Sequence, residues 1–398
     1  MKICIKRGSH EIGGSCVEIT ADNGKRLLVD CGLPLDAPEA SAELMPDLRG
    51  PLPCGLLVSH AHADHYALAQ WLDARVPVYI GKTAQKLIET TNLYSPQKCE
   101  LKNTVDILPW RPFTVADTFR VWPYWVDHSA YDAYAFLIEA DGKRVFYTGD
   151  FRAHGRINMC VERLIAKPPG RINVLLMEGS MLGRGEGKSQ NEEALEAQFE
   201  NVFRETKTKG VAAVMASSTN LNRLVTLYKA AVRTGRELVV PPHVGLLTMA
   251  TGNPNLPNFK YFKSFKKWDE RDTRDHAVLP GAVLAEPGRY VVLLKTAITE
   301  AMLANGLFCA DASFVYSMWG GYKKQEQMAT MLAKIKRTGT RMDDIHTSGH
   351  ADVPTLKRFA AAMNADRIVP IHTEHPERYR ELFGSTVEQH ADGEEFCV

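Results

Sequence analysis

Residues 58–66 read VSHAHADHY, an HxHxDH array of His60, His62, Asp64 and His65 directly after an apolar run. Neutral imidazoles and carboxylates are the side chains that suit divalent zinc. Closed structural zinc sites usually recruit cysteine, and no cysteine sits in this array. On a loop leaving a strand, alternation sends His60 and His62 one way and lets Asp64 and His65 turn toward a second position. That geometry builds two adjacent metal sites. More ligands are then needed, and later strand ends offer them: His128 in VDHS and Asp150 in YTGD, where a carboxylate can bridge two cations.

The elements that position these residues can be read from the pattern around them. KICIKRG, SCVEIT and RLLVDCG read as consecutive strands, with Asn23-Gly24 in ADNGK as a hairpin turn. GLLVSH is a buried strand ending at the array, and HYALAQWLDAR reads as a helix. RVFYTGD ends in Asp150, and INVLLMEGS carries Glu178 at its end. From Ser189 the texture turns helical: SQNEEALEAQFENVFRETKTKG is amphipathic, with Ser189 three residues before Glu192 in the capping-box spacing. VAAVMASS, NLNRLVTLYKAAVRTG and ELVVPP follow as a β-α-β crossover, and RYVVLLK and SFVYSM add strands. DDIHTSGHAD, VPTLKRFAAAMNA and DRIVPIHTEHPE then return to the strand-end, helix, strand-end pattern of the first block. The middle reads as an insertion between two parts of one metal-bearing α/β domain.

Composition sets wide bounds. The chain has 398 residues, 45% apolar and 24% charged, with a formal net charge of +1. That is enough for a large domain with an insertion, and it neither demands nor excludes a polyanionic partner. The eight cysteines form no CxxC pair, and MKICIKRGSH lacks the apolar core of a signal peptide. No stretch approaches the roughly 18 apolar residues of a membrane span. Reduced thiols, a cytoplasmic location and no membrane partner are the expectation.

SHAHADH, DHS and TGD resemble successive ligand motifs of the metallo-β-lactamase fold, a four-layer αβ/βα sandwich. Glu178, His350 in HTSGHAD and His372 in RIVPIHTE resemble motifs A, B and C of the β-CASP nucleases, whose cap domain is inserted between A and B. The resemblance implies residues 1–188 and 339–398 as the metallo-β-lactamase domain and 189–338 as the cap. It places His372 in the second metal site and His350 near the scissile phosphate as a candidate proton donor. Glu178 would orient a ligand histidine. Ser348 and Gly349 would offer a hydroxyl and a backbone N–H to a phosphate. His346 matches the first histidine of the HxSGH form seen in ribonuclease J, and Arg223 could reach a phosphate. A histidine at motif C marks the RNA-processing branch, so the implied substrate is single-stranded RNA, with single-stranded DNA as the alternative. The implied activity is phosphodiester hydrolysis by a hydroxide activated by two Zn2+, with Mn2+ admitted by the same ligands. The catalytic set comprises Asp64, His350 and Glu178; the metal set is His60, His62, Asp64, His65, His128, Asp150 and His372.

Competing readings are a DNA nuclease of the same architecture, a small-molecule metallo-hydrolase and a silent scaffold subunit. A hydrolase of small esters leaves the SGH motif and the large insertion without a purpose, and a scaffold need not keep every ligand position filled. Ribonuclease J carries a Gly/Gln-rich TGSQGE stretch and a further C-terminal domain, whereas LLKTAITEAMLANG stands in the corresponding place here. Cleavage polarity and homo-oligomer formation are therefore left open. FKYFKSFKKWDE (259–270) interleaves aromatics and lysines as a nucleic-acid strip would, or as an amphipathic helix with a basic face would. His10, His154, His243 and His375 have no companion motif and read as packed or solvated histidines.

Overall fold

Residues 133–140, AYAFLIEA, are apolar on both faces of an extended chain. Such a strand must be covered from two sides. The computed structural model describes residues 1–263 and 276–398 and supplies both covers. The chain divides into two units, Met1–Ser189 with Gly349–Val398, and Gln190–Ser348.

The first unit holds two sheets. One contains β1 (Lys2–Arg7), β2 (Cys16–Thr20), β3 (Arg26–Val29), β4 (Gly55–Leu57), β5 (Val78–Gly81) and β6 (Thr104–Ile107) in that order, with β20 (Glu395–Cys397) on the outer side of β1. The other contains β7 (Phe113–Val115), β8 (Phe119–Val126), β9 (Ala133–Ala140), β10 (Lys143–Tyr147) and β11 (Val174–Glu178), with β19 (Arg367–Ile371) parallel to β11. Tyr134, Phe136 and Ile138 on one face of β9 pack with Ile3, Ile5, Ile19 and Leu27 of the first sheet. Ala135 and Leu137 on its other face pack with Val161, Leu164, Leu356 and Phe359 of the helices Met159–Ala166 and Val353–Met363. Beyond the first sheet, Leu28, Leu56 and Val78 meet Ala84 and Ile88 of the helix Lys82–Thr91. Helix, sheet, sheet, helix is the four-layer sandwich. Each large side chain so buried contributes roughly 1.5–3 kcal/mol.

The Asn23-Gly24 turn joins β2 to β3 as expected, with Gly24 at φ +78° and Ala21 exchanging backbone bonds with Gly24 and Lys25. HYALAQWLDAR does not form the expected helix. One short turn spans Ala63–Tyr66, and a tighter 3-10 turn spans Ala67–Trp71. The reason is competition for backbone partners. The carbonyls of Asp64 and His65 accept from Ser15 and Cys31, and the Leu68 N–H donates to Cys31 instead of one turn back.

The second unit is a parallel sheet of β12 (Ala212–Ala216), β13 (Glu237–Val240), β14 (Lys260–Phe262), β15 (Ala277–Val278), β16 (Tyr290–Leu293), β17 (Ser313–Ser317) and β18 (Arg341–Asp344). Their order is β15-β14-β13-β16-β12-β17-β18. Arg341–Asp344 pair in parallel with β17, so the return to the first unit falls at Gly349, ten residues later than the sequence texture suggested. The helix Glu192–Glu205 is capped by Asn191, whose side chain accepts from the Ala194 N–H. Ser189 is not the cap; its N–H donates to Asp352. Of the segment FKYFKSFKKWDE, Phe259 and Tyr261 are buried at and beside β14, and residues from 264 onward lie outside the described residues. No helix among the described residues is long and apolar enough to cross a membrane.

Candidate metal centre

Every element that ends at the centre ends there for a traceable reason. β4 runs straight into His60, while β8 and β10 deliver His128 and Asp150 just beyond their last residues. β19 delivers His372, the residue after Ile371, at φ +51°. That left-handed conformation is uncommon for a residue with a side chain and is held here by several bonds. The His372 N–H donates to Gly8 O at 2.6 Å, and its carbonyl accepts from Ser180 Oγ at 3.2 Å. The 60–65 loop is pressed against Gly32, where an added Cβ would stand 1.6 Å from Asp64 O. Only glycine fits that approach.

Asp150 Oδ2 is the hub. It lies 3.1 Å from His65 Nε2, 3.6 Å from His372 Nε2, 3.7 Å from His60 Nε2 and 3.9 Å from His128 Nε2. On one side His62 Nδ1 is 3.1 Å from His128 Nε2, and His60, His62 and His128 form a triad of donors. On the other side Asp64 Oδ2 is 3.7 Å from His65 Nε2 and 3.8 Å from His372 Nε2, forming a second triad. Ligand atoms about 2.0–2.2 Å from a tetrahedral cation stand roughly 3.3 Å apart, which these separations approach. His60 Nε2, His372 Nε2 and Asp150 Oδ1 are buried and make no hydrogen bond, so their desolvation is unrepaid unless a cation takes their lone pairs. The residues present therefore fit divalent metal, with Asp150 facing both triads.

The surrounding groups fix which ring atom faces inward. His65 Nδ1 bonds Asp30 Oδ2 at 2.8 Å, and Asp30 also accepts from Ser59 N, Ser59 Oγ and Tyr147 OH at 2.7, 2.8 and 2.7 Å. His60 Nδ1 is 3.0 Å from Ser59 Oγ, and His372 Nδ1 is 2.8 Å from Ser15 Oγ. His128 Nδ1 donates to Gly349 O at 2.6 Å. Such partners orient ligating imidazoles and raise their basicity. Asp30, Ser15, Ser59 and Tyr147 were not singled out in the sequence. Asp30 had a signal, since it follows a strand end in LLVDCG as Asp150 does in VFYTGD. Next to the ligands, Asp127 and Arg152 form a wholly buried ion pair that ties the loop of His128 to that of Asp150.

Burial pushes the His60, His128 and His372 imidazoles down and brings His62 to about 4, which favours the neutral, ligating form. Burial also opposes charge on His65, but Asp150, Asp64 and Asp30 outweigh it and hold this ring well above the usual range. Asp150 is held well below the carboxylate range because the imidazoles around it outweigh its burial. His350 Nδ1 is 3.5 Å from Glu178 Oε1 and 3.6 Å from Asp150 Oδ2. Those carboxylates overcome burial and raise it to about 8. Glu178 is wholly buried, and its oxygens accept from the N–H groups of Phe151, Ser180 and Ala351. It faces His350, which lies within donor reach of His128 and Asp150.

His375, close in sequence to His372, pairs with Glu377 at 3.1 Å on the surface. The Gly349 carbonyl accepts from His128. His346 and Ser348 belong to the second unit. Arg223 is corrected outright: it is wholly buried within that unit, 3.1 Å from Glu192 Oε1 and bonded to Ser317 Oγ. A guanidinium so enclosed cannot meet a phosphate. It was mistaken because a helix pattern does not tell an inward polar residue with a partner from an outward one.

Residues 25–200 match the β-lactamase superfamily domain, and residues 337–395 match the Zn-dependent metallo-hydrolase RNA specificity domain. An RNase J-like protein of Methanocaldococcus jannaschii is 28% identical over 185 residues, 44% of this chain and 41% of that protein. Ribonuclease J of Mycoplasma genitalium is 22% identical over 255 residues, 60% of this chain and 43% of that protein. The alignment thus spans about two fifths of each of these two relatives. Ribonuclease J of Mycoplasma pneumoniae is 21% identical, covering 94% of this chain and 68% of that protein. A crystal structure of a protein of unknown function from Enterococcus faecalis V583 has the same fold, with a TM-score of 0.84 and 20% identity over 99% of both chains.

Proposed function

Because the chain belongs to the metallo-β-lactamase superfamily, in its ribonuclease J-like β-CASP branch, we propose that it is a metal-dependent hydrolase that cuts single-stranded RNA using two zinc ions. The observation that carries the reading is the pair of donor triads meeting at Asp150 Oδ2. His60, His62 and His128 would hold one cation, Asp64, His65 and His372 the other, and Asp150 both. When bound, such a pair supplies a water acidified toward neutral pH and positive charge against the phosphoryl oxygens.

The chain's own residues do the remaining work. Asp30, Ser59, Ser15 and Gly349 O keep the ligating nitrogens aimed inward. His350, beside the hub and held by Glu178, is placed to protonate the leaving 3′-oxygen, which leaves a 5′-phosphate on the downstream product. General acid help of this kind supplies roughly 10²–10⁴-fold. Glu178 acts as a positioning residue for His350.

The test is incubation of the zinc-loaded protein with 5′- and 3′-labelled single-stranded RNA, alongside matched DNA, with and without chelator. Chelator-sensitive cleavage of RNA that His62→Ala and Asp64→Ala abolish is expected. Cleavage at the native rate by a correctly folded His62→Ala protein would remove the assignment.

A further inference from the structure

In the second unit the connection leaving β12 runs toward β13, while the one leaving β16 crosses past β12 to β17. Connections diverging in this way open a crevice at the carboxyl ends of parallel strands, the usual place for ligands in open α/β sheets. Along that edge, in strand order, stand His243 after β13, Lys295 after β16, Ser217–Asn220 after β12 and Trp319 after β17. With strands about 4.8 Å apart, the ends of β16 and β17 are separated by roughly 10 Å.

Lys295 is half-buried, and its ammonium forms no ion pair with a carboxylate among the described residues. Burial alone acts on it and pushes it down, so an anion at this position would repay the lost hydration. His243 Nε2 is 3.0 Å from Ser218 Oγ, and burial brings that imidazole down to about 4. The edge therefore offers one cation beside neutral hydrogen-bonding groups. Trp319 is 39% exposed, packs edge-on against Tyr322 with ring centroids 5.3 Å apart, and lies against Gly321, where a Cβ would stand 2.4 Å from the indole. Lys323 is committed to Asp344 and to the Tyr316 ring, but Lys324 is exposed.

We propose that this edge is a strip for single-stranded RNA, with a backbone phosphate at Lys295 and a base stacked on Trp319. Stacked aromatics and spaced cations bind single strands with little sequence preference, because every base has a π-face. The strip rests on the ribonuclease reading and adds how the substrate is gripped.

The measurement is steady-state cleavage of a fluorescent 20-nucleotide oligouridylate by the full zinc-loaded chain. Trp319→Ala is expected to raise KM about 5- to 150-fold, the range of one lost stacking contact, with kcat within twofold. Trp319→Phe, which keeps a ring, should restore most of it. Lys295→Gln should flatten the dependence of log(kcat/KM) on log salt by about 0.7. Thermal denaturation of each variant reports folding. If the native chain cuts the oligomer and both Trp319→Ala and Lys295→Gln keep its KM, or lose kcat at constant KM, the strip is wrong. If the native chain leaves oligouridylate intact, the underlying RNA reading is what has failed.

Discussion

Replacing Asp30 by asparagine changes one oxygen into an amide nitrogen and leaves the shape of a wholly buried side chain intact. Its two oxygens accept from four donors: Ser59 N on one, and Ser59 Oγ, Tyr147 OH and His65 Nδ1 on the other. An amide has one acceptor oxygen and a donor NH2. If the NH2 faces Ser59 N, two donors confront each other and a buried backbone N–H goes unsatisfied, costing about 1–3 kcal/mol. If the NH2 faces His65, the ring must accept at Nδ1 and carry its proton on Nε2, the atom that should hold metal. Either arrangement weakens the second triad. Loss of such a support typically costs 10- to 100-fold in metal affinity, or about 1.4–2.7 kcal/mol. Titration of zinc against a chromophoric chelator would read the affinity, and thermal denaturation of the chelated proteins would read the stability term. An Asp30→Asn protein that binds zinc within twofold of the native chain would refute the argument, because the carboxylate would then not be setting the His65 tautomer.

Arg223→Met takes the guanidinium away from the buried Glu192 carboxylate and should destabilise the second unit by about 3–5 kcal/mol; Arg223→Met with Glu192→Gln should recover most of the loss, as read by denaturant unfolding. Equal stability of the single variant and the native chain would rule out the buried pair. Gly32→Ala drives a Cβ into Asp64 O, so the 60–65 loop must move, and zinc stoichiometry should fall below two per chain in elemental analysis. A full complement of two would show that the approach is not required. In the chelated protein His60, His62, His128 and His372 have lowered folded-state values, so the unfolded chain takes up their protons first as pH falls below about 6.5. His65 and His350 are raised and contribute in the opposite sense, with stability present at acid pH and lost as pH climbs through their folded values. With His243 also lowered, five depressed rings against two raised ones should lower the thermal midpoint between pH 7 and pH 5, and a midpoint that rises over that interval would contradict these environments.

Much of the donor cluster was legible because side chains able to hold a metal are of few chemical types and stand here at strand ends. HxHxDH, DHS and TGD each sit where an apolar run stops, so pattern and chemistry point to the same residues. The supporting shell was harder to see. Asp30 reads as an ordinary strand-end aspartate until the backbone places it beside His65 and Tyr147, which lie 35 and 117 residues away. Helix periodicity misled twice for the same reason: tertiary partners overrode local bonding. In HYALAQW the backbone bonds run to Ser15 and Cys31, and in NLNRL an inward arginine satisfies Glu192. Ser189 fitted a capping spacing, but Asn191 was nearer the first turn and made the bond.

The pairing of β19 with β11 and of β20 with β1 has a temporal consequence. A chain emerging from the ribosome will have made His60, His65 and Asp150 long before His372 exists. Until residues 367–372 arrive, β11 presents an open edge and Glu178 lacks the Ala351 N–H it later receives. The His60–His62–His128 donors are therefore complete before synthesis has reached the last residue of the second triad. Assembly of the full donor set is thus a late event in the life of each molecule.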